Sequence, residues 1–244
     1  MILGVNGEPE GCSMKTAQTA SILFGCSLLI ALITALVPLA THAETYVAGQ
    51  FGVTLPQSLS NVKLTQEGFN GLSSSDLSLQ TSLMGGIKLG HFFSRARWFG
   101  LETEVFYTTP HIKDQNVTIS GPGGSASLGP VSGEHNRILT WAPMNLVFRY
   151  HKTRLQPYIA IGPGIFFANR KDADGGTQSG TAIGLNSQVG VRYYVTRRWT
   201  VFGEGKYNLA RIPYSSNDND PNAALGFRAT YSAFIFSFGL GYHF

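Results

Sequence analysis

The sequence has 244 residues, a formal net charge of +4 and a hydrophobic content of 43%. This length allows one or two ordinary domains, and the positive excess is too small and too dispersed to indicate nucleic-acid binding. Both cysteines, Cys12 and Cys26, precede residue 44, so disulfides and thiolate metal sites are excluded from the rest of the chain. We expect no cofactor and no metal.

The chain begins with a segment that is typical of a secretory signal. Residues 17–40, "AQTASILFGCSLLIALITALVPLA", form an uncharged, mostly apolar run that follows Lys15 and precedes "THA". A basic start, an apolar centre and small residues before a break predict cleavage after Ala43. We therefore expect a signal peptide over residues 1–43 and a mature domain over 44–244. Met14, directly before Lys15, is an alternative true start.

Two other interpretations of this segment are open. The apolar run is long enough to be an uncleaved transmembrane anchor, which needs about 20 residues. Pro38 and the small residues that follow it favour cleavage. Cys26 is a candidate lipoprotein attachment site, but Phe24 fits poorly before the Gly-Cys pair and a long, mostly apolar stretch follows.

After Ala43 the hydrophobic pattern has a period of two almost throughout, which indicates β-strands. Eight segments carry it, each long enough for a tilted strand to cross a membrane at about 9–11 residues. They are residues 45–54, 83–93, 98–108, 139–151, 156–168, 182–196, 199–209 and 228–244. The fold class predicted is therefore all-β.

The connections between these segments alternate in length. Long ones, at residues 55–82, 109–138, 169–181 and 210–227, are rich in Gly, Ser, Asn, Pro and Asp. The short ones are "SRAR" (94–97), "KTRL" (152–155) and "RR" (197–198). Short turns at one end and long loops at the other predict an up-and-down antiparallel transmembrane β-barrel of eight strands. Ten strands are possible if "VTIS" and "SASLG" pair inside the second long loop.

Alternation alone cannot separate a membrane barrel from a soluble sandwich, because both have one apolar and one polar strand face. In segment 98–108, for example, Leu101 and Val105 share one face while Glu102 and Glu104 share the other. The position of the aromatic residues favours the membrane, since an interfacial girdle collects near the short turns. Its predicted members are Phe92, Phe93, Trp98, Tyr150, Trp199, Tyr242 and Phe244.

Several stretches, in this order, resemble the small eight-stranded outer-membrane barrels of the OmpA and OmpX type. They are "YVAGQFGV", "GGIKLGHFF" with "WFGLETEVFY", "QPYIAIGPGIFF", "VGVRYYVTRRWTVFGEGKYN" and the terminal "FGLGYHF".

The resemblance implies a location in the outer membrane of a Gram-negative bacterium, among its lipid and lipopolysaccharide. It also implies that the last strand resembles the signal read by the barrel-assembly machinery, after transport by periplasmic chaperones. The residues concerned are Phe238, Leu240, Tyr242 and Phe244. No peptidoglycan-binding domain is expected, so an OmpA-style wall anchor is in doubt.

Charged residues on the polar strand faces predict a network inside the barrel. Lys88 and Glu102 stand symmetrically about one short turn, and Arg192 and Glu204 about another, so each pair is expected to be cross-strand neighbours. Buried charges need partners, so we expect ion pairs that fill the bore, completed by Glu104, Arg149 and Lys206, with Tyr194 a further candidate. An eight-stranded barrel is only wide enough for side chains, which favours packing over conduction.

The short turns are basic and contain no acid. They carry Arg95, Arg97, Lys152, Arg154, Arg197 and Arg198. Such turns suit anionic lipid head groups on the periplasmic side, although ordinary solvated turn residues would look the same.

Acyl chemistry would require a His-Ser-acid set near the outer rim. Only the second long loop offers candidates, namely His111 and His135 with Ser120, Ser132, Asp114 and Glu134, and their spacing forms no motif. We expect no catalytic residues.

The predicted function is that of a monomeric, porin-like surface protein with a structural or interaction role and an unidentified extracellular partner. The alternatives are a lipid A-modifying enzyme, a narrow pore and a soluble lipocalin-like binder.

Overall fold

The structure is a computed structural model that describes residues 44–64, 72–121, 123–131, 135–171, 176–216 and 226–244. The predicted signal peptide and the alternative start at Met14 lie outside these residues. The described residues form twelve strands: β1 (Glu44–Pro56), β2 (Ser60–Leu64), β3 (Ser73–Ser74), β4 (Ser82–Phe92), β5 (Phe99–Thr108), β6 (Gln115–Gly121), β7 (Gly124–Val131), β8 (His135–Arg149), β9 (Leu155–Lys171), β10 (Thr177–Tyr194), β11 (Trp199–Ser216) and β12 (Phe227–His243). None of the described residues forms a helix long and apolar enough to cross a membrane.

Eight of the strands close into a barrel. They pair antiparallel in the order β1, β4, β5, β8, β9, β10, β11, β12, and β1 also pairs with β12. Val47 on β1, for example, stands opposite Leu89 on β4 and opposite Tyr242 on β12. The prediction of an all-β, up-and-down, eight-stranded barrel is confirmed.

The four remaining strands extend the sheet at the long-loop end. β2 pairs with β12 through Leu64 and Phe227, and β3 pairs with both β2 and β6. β6 and β7 form the hairpin suggested by "VTIS" and "SASLG", with Thr118 opposite Ser127. Because these strands continue the sheet beyond β12 and are not inserted between barrel strands, the barrel has eight strands rather than ten.

Several strands rise further at the long-loop end than the sequence pattern indicates. β8 begins at His135 rather than at residue 139, β10 begins at Thr177 rather than at 182, and β11 ends at Ser216 rather than at 209. Most outward residues of these extensions are polar, Arg137 and Ser179 among them. Each of these strands has an apolar outward face along most of its length and a mostly polar outward face in the extension. The alternation of apolar and polar residues that predicts a membrane-crossing strand is therefore absent from the extensions.

The two faces of the wall differ in polarity. Outward side chains are apolar and exposed, and they include Phe51, Leu83, Ile87, Ile183, Val189 and Phe238. The inward face is mainly polar in the half near the short turns. In the half near the long loops a hydrophobic cluster lies among buried polar residues such as Asn136 and Gln178. In the second half Phe166, Ile212 and Tyr231 are almost fully buried beneath apolar loop residues such as Leu59 and Leu79.

The aromatic girdle lies at the short-turn end with one exception. Phe93, Trp98, Tyr150, Trp199 and Phe244 are exposed, and Tyr242 packs against Trp199 with ring centroids 5.1 Å apart. The prediction was wrong for Phe92, which is buried beneath the guanidinium of Arg149 at 3.4 Å. Phe92 shares its parity with Lys88, so strand alternation directs it into the bore.

Candidate functional site

A cluster of five charged side chains occupies the middle of the bore. Lys88 Nζ lies 3.2 Å from Glu102, 3.4 Å from Glu104 and 2.8 Å from Glu204. Lys206 Nζ contacts Glu104 and lies 3.2 Å from Glu204. All five side chains are almost completely buried. Each of these ions therefore exchanges hydration for direct contact with opposite charge.

Neutral donors satisfy the carboxylate oxygens that the two ammonium groups leave over. Gln188 Nε2 donates to Glu102 at 2.7 Å, and Asn186 Nδ2 donates to Glu104 at 2.8 Å. Ser237 Oγ donates to Glu204 at 3.0 Å. An ionised carboxylate accepts several hydrogen bonds, so these donors offset part of its desolvation.

Two tyrosines complete the cluster through the same three-strand arrangement. Tyr46 on β1 stands opposite Gly90 on β4, which stands opposite Glu102 on β5. The Tyr46 ring lies across Gly90, where a Cβ would overlap it, and its hydroxyl donates to Glu102. The glycine opens the path that lets a tyrosine reach a carboxylate two strands away.

The second copy of this arrangement lies on β9, β10 and β11. Tyr158 stands opposite Gly190, which stands opposite Glu204. The Tyr158 hydroxyl donates to Glu204 at 2.6 Å, and a Cβ on Gly190 would lie 2.7 Å from that hydroxyl. Both Tyr-Gly-Glu rows aim at Lys88, which contacts both glutamates.

The structure does not bring Arg192 to Glu204, contrary to the sequence-based expectation. In the β10–β11 register Arg192 stands opposite Phe202, and Gly190 takes the place opposite Glu204. The guanidinium lies over the Tyr46 ring at 4.1 Å from its centroid. Lys88 likewise stands opposite Glu104 and not opposite Glu102, so the expected cross-strand pairing was wrong there too. Its flexible stem still reaches the Glu102 carboxylate diagonally, whereas the Arg192 guanidinium packs on aromatic rings.

Arg149 also lies apart from the central cluster, in a second one at the short-turn rim. Its guanidinium lies 2.5 Å from Glu44 Oε2 and donates to Gln156 and Tyr194. His243 Nδ1 lies 2.6 Å from Glu44 Oε1. Neither Glu44 nor His243 was predicted to join the network. Strand alternation could have indicated Glu44, because it is two positions from the inward-facing Tyr46 on the same strand. Both Glu44 and His243 stand at strand ends, however, where alternation is a weak guide to the direction of a side chain.

The remaining predicted site residues lie on the outside. Phe238 and Leu240 are exposed outward residues of β12, and the Phe244 N–H donates to the carbonyl of Thr45 at 2.9 Å. The basic turn residues are exposed: Arg95, Arg97, Lys152, Arg154, Arg197 and Arg198. The outward row of β12 therefore faces the surroundings of the barrel, and the basic residues form a collar at its short-turn end.

The two loop histidines meet at the long-loop end. The rings of His111 and His135 lie perpendicular with centroids 4.7 Å apart. Burial lowers the pKa of His111, and the neighbouring His135 and Arg137 lower it further. Ser132 and Glu134, two of the candidate partners, lie outside the described residues. Nowhere in the described ranges do three or more metal-ligating side chains gather.

Comparison with known proteins identifies the family. The model of the outer membrane protein beta-barrel domain matches residues 28–244. The chain belongs to this family. Its location is therefore the outer membrane of a bacterium, and its exposed apolar band faces lipid.

Solved structures show the same fold at low sequence identity. The outer membrane protein OprG from Pseudomonas aeruginosa aligns with a TM-score of 0.52 at 15% identity, over 83% of this chain and 96% of OprG. A major outer membrane protein from Thermus thermophilus aligns with a TM-score of 0.54 at 14% identity, over 84% of this chain and 100% of that protein. No curated protein matches the sequence significantly.

Proposed function

We propose that this protein is a closed, non-enzymatic barrel with a structural and surface-interaction role. The observation that supports this proposal is the filling of the bore. The rim cluster around Glu44, the central cluster around Lys88 and the apolar plug around Tyr231 follow one another along it. A bore filled by side chains at three levels leaves the exposed loops as the surfaces available for function.

Single-channel recording in planar lipid bilayers tests the closed bore. We expect the refolded protein to give no stepwise conductance at moderate voltage. Lys88→Ala, once shown to be folded, should still not conduct, because the apolar plug between the cluster and the long-loop mouth is unchanged. Reproducible conductance steps in the unaltered protein would replace this proposal by a narrow pore.

The interaction role rests on the ordered sheet at the long-loop end. β2, β3, β6 and β7 continue the wall beyond β12, and β6 carries exposed polar residues such as Asn116. We propose that this end faces the cell exterior, as longer loops do in outer-membrane barrels. Asn116→Cys should react with a membrane-impermeant maleimide on intact cells, and Lys152→Cys should react only after lysis. The opposite labelling pattern would invert the orientation and remove this role.

Biogenesis and lipid contact supply the further proposed partners. Phe238, Leu240, Tyr242 and Phe244 form the outward row proposed as the signal for the barrel-assembly machinery. Of the six basic turn residues expected at anionic head groups, Arg95, Lys152, Arg154 and Arg198 are proposed to contact them, since basic residues near a membrane surface are attracted to such lipids. Arg97 and Arg197 line a cavity at the mouth of the bore instead. We propose a monomer, in which the apolar band contacts lipid all round.

The contact between His111 and His135 favours one second candidate, a lipid A-modifying enzyme. Mass spectrometry of lipid A from cells with and without the protein separates the two functions. We expect identical lipid A in both. A modification that disappears in both His111→Ala and His135→Ala would establish the enzyme instead.

A further inference from the structure

A polar cavity of about 400 Å³ opens at the short-turn mouth of the barrel. Its lining combines residues from two short turns, at 94–97 and 197–198, with residues at the adjoining strand ends: Glu44, Arg97, Arg149, His151, Gln156, Tyr194 and Arg197. Three arginines and one histidine thus face a single carboxylate. The volume falls within the roughly 300–1,000 Å³ that small-molecule sites occupy.

The charges of this cavity are not balanced within it. Glu44 is already engaged by Arg149, Tyr194 and His243 in the rim cluster. Arg97 and Arg197 are exposed, and the ion pairs found among the described residues involve neither of them. Two guanidinium groups from different turns therefore border one recess with no carboxylate of their own.

The neighbouring basic residues of the same turns do not line this cavity. Arg198 directs Nη1 towards the Tyr242 hydroxyl at 3.4 Å, on the outward face of β12. Arg95 is exposed and is not part of the lining. The basic collar thus divides into an outer set and an inner pair, Arg97 and Arg197, at the mouth of the bore.

We propose that the cavity binds an anionic group of phosphate type carried by a soluble molecule of the periplasm. Guanidinium groups bind phosphate oxygens in a planar, bidentate manner, and two of them from separate turns can clamp one anion. Gln156 and Tyr194 also line the wall, but their donors are engaged by the Thr153 carbonyl and by Glu44, so the anion would be held by the arginines. A lipid head group has the same chemistry, but the cavity lies at the bore, inside the ring of strands whose outward face contacts lipid.

Calorimetric titration with inorganic pyrophosphate, at low ionic strength and in a zwitterionic detergent, tests the site. We expect saturable binding to one site. Arg97→Gln and Arg197→Gln should each weaken it by about tenfold, the loss of one charge-assisted contact. The matched controls are Arg95→Gln and Arg198→Gln, which carry the same charge change on the same turns and should change the affinity by less than about twofold. The folded state of each variant is checked by gel electrophoresis, in which a closed barrel changes its mobility when the sample is boiled.

Three results would overturn the proposal. The first is the absence of saturable binding, and the second is an equal loss in all four variants, which would indicate diffuse attraction by the collar. The third concerns the source of the phosphate. In nanodiscs, binding should be the same with zwitterionic lipid and with added phosphatidylglycerol. If the anionic lipid abolishes pyrophosphate binding, the cavity belongs to a lipid head group.

Discussion

Lys88 Nζ lies 2.8 Å from Glu204 Oε2, although 116 positions separate the two residues in the sequence. β4 and β11, which carry them, are not neighbours in the barrel. The contact therefore spans the bore and links walls that share no backbone hydrogen bonds. Such a contact both fills the bore and ties its opposite walls together.

Lys88→Met should destabilise the barrel strongly. The substitution keeps most of the side-chain volume. Among the described residues it leaves Glu104 and Glu204 with Lys206 as their remaining ammonium partner, and it leaves Glu102 with none. Removing one partner from a buried ion cluster costs about 3–5 kcal/mol. Urea unfolding of the protein in lipid vesicles measures this loss. Lys113→Met, in an exposed loop, is the matched control and should change the free energy of unfolding by less than about 0.5 kcal/mol. Equal midpoints for both variants would contradict a structural role for the cluster.

Gly90→Ala and Gly190→Ala should each disturb a tyrosine that donates to the cluster. An added Cβ would overlap the Tyr46 ring in the first variant and the Tyr158 hydroxyl in the second. Overpacking of this kind costs about 1–3 kcal/mol. Gly85→Ala is the control, because a Cβ there would meet nothing within 4 Å. The unfolding free energies of the three variants are compared, and a loss in Gly85→Ala as large as in the others would assign the effect to strand propensity.

Acid should loosen the contact between the second loop and β8. The pKa of His111 lies below its ordinary value of about 6.5, so the open form binds more protons than the closed form. The His111 contribution is complete above that ordinary pKa and is lost as the pH falls below it. Hydrogen exchange of Gln80, whose amide donates to the His111 carbonyl at 2.7 Å, reports the opening. We expect its protection to fall as the pH is lowered below about 6.5. His111→Gln should remove this pH dependence, and an unchanged dependence in the variant would exclude His111 as the cause.

Phe244→Ala should impair assembly more than stability. Its side chain is 74% exposed and contacts Tyr242 at a centroid distance of 5.2 Å, so few buried contacts are lost. We expect a change in unfolding free energy below about 0.5 kcal/mol, together with a lower yield of folded protein in vesicles that contain the assembly machinery. Phe234→Ala, also outward on β12, is the control and should assemble normally. Equal losses in both variants would remove the proposed signal role of Phe244.

The sequence predicted the barrel well because one local rule decides most of it. Side chains alternate across a strand, so Lys88, Glu102 and Glu204 could each be placed on the inner face without knowledge of their partners. The same alternation places Phe92 inside the barrel, although it was predicted to belong to the outer aromatic girdle. Strand ends above the membrane were underestimated, because outward residues such as Arg137 no longer distinguish the two faces.

The amino-acid sequence by itself determined the all-β class, the eight membrane-crossing segments, their up-and-down order and the face of most of their side chains, since these follow from a period of two and from loop lengths. Only the tertiary structure decided which inward residues meet. Closure of the barrel sets the stagger between strands, and this brings Lys88 to Glu204, leaves Arg192 on the ring of Tyr46 and places Arg149 at the rim with Glu44. Partners from non-adjacent strands have no fixed spacing in the sequence, because the distance between them is set across the bore and not along the chain.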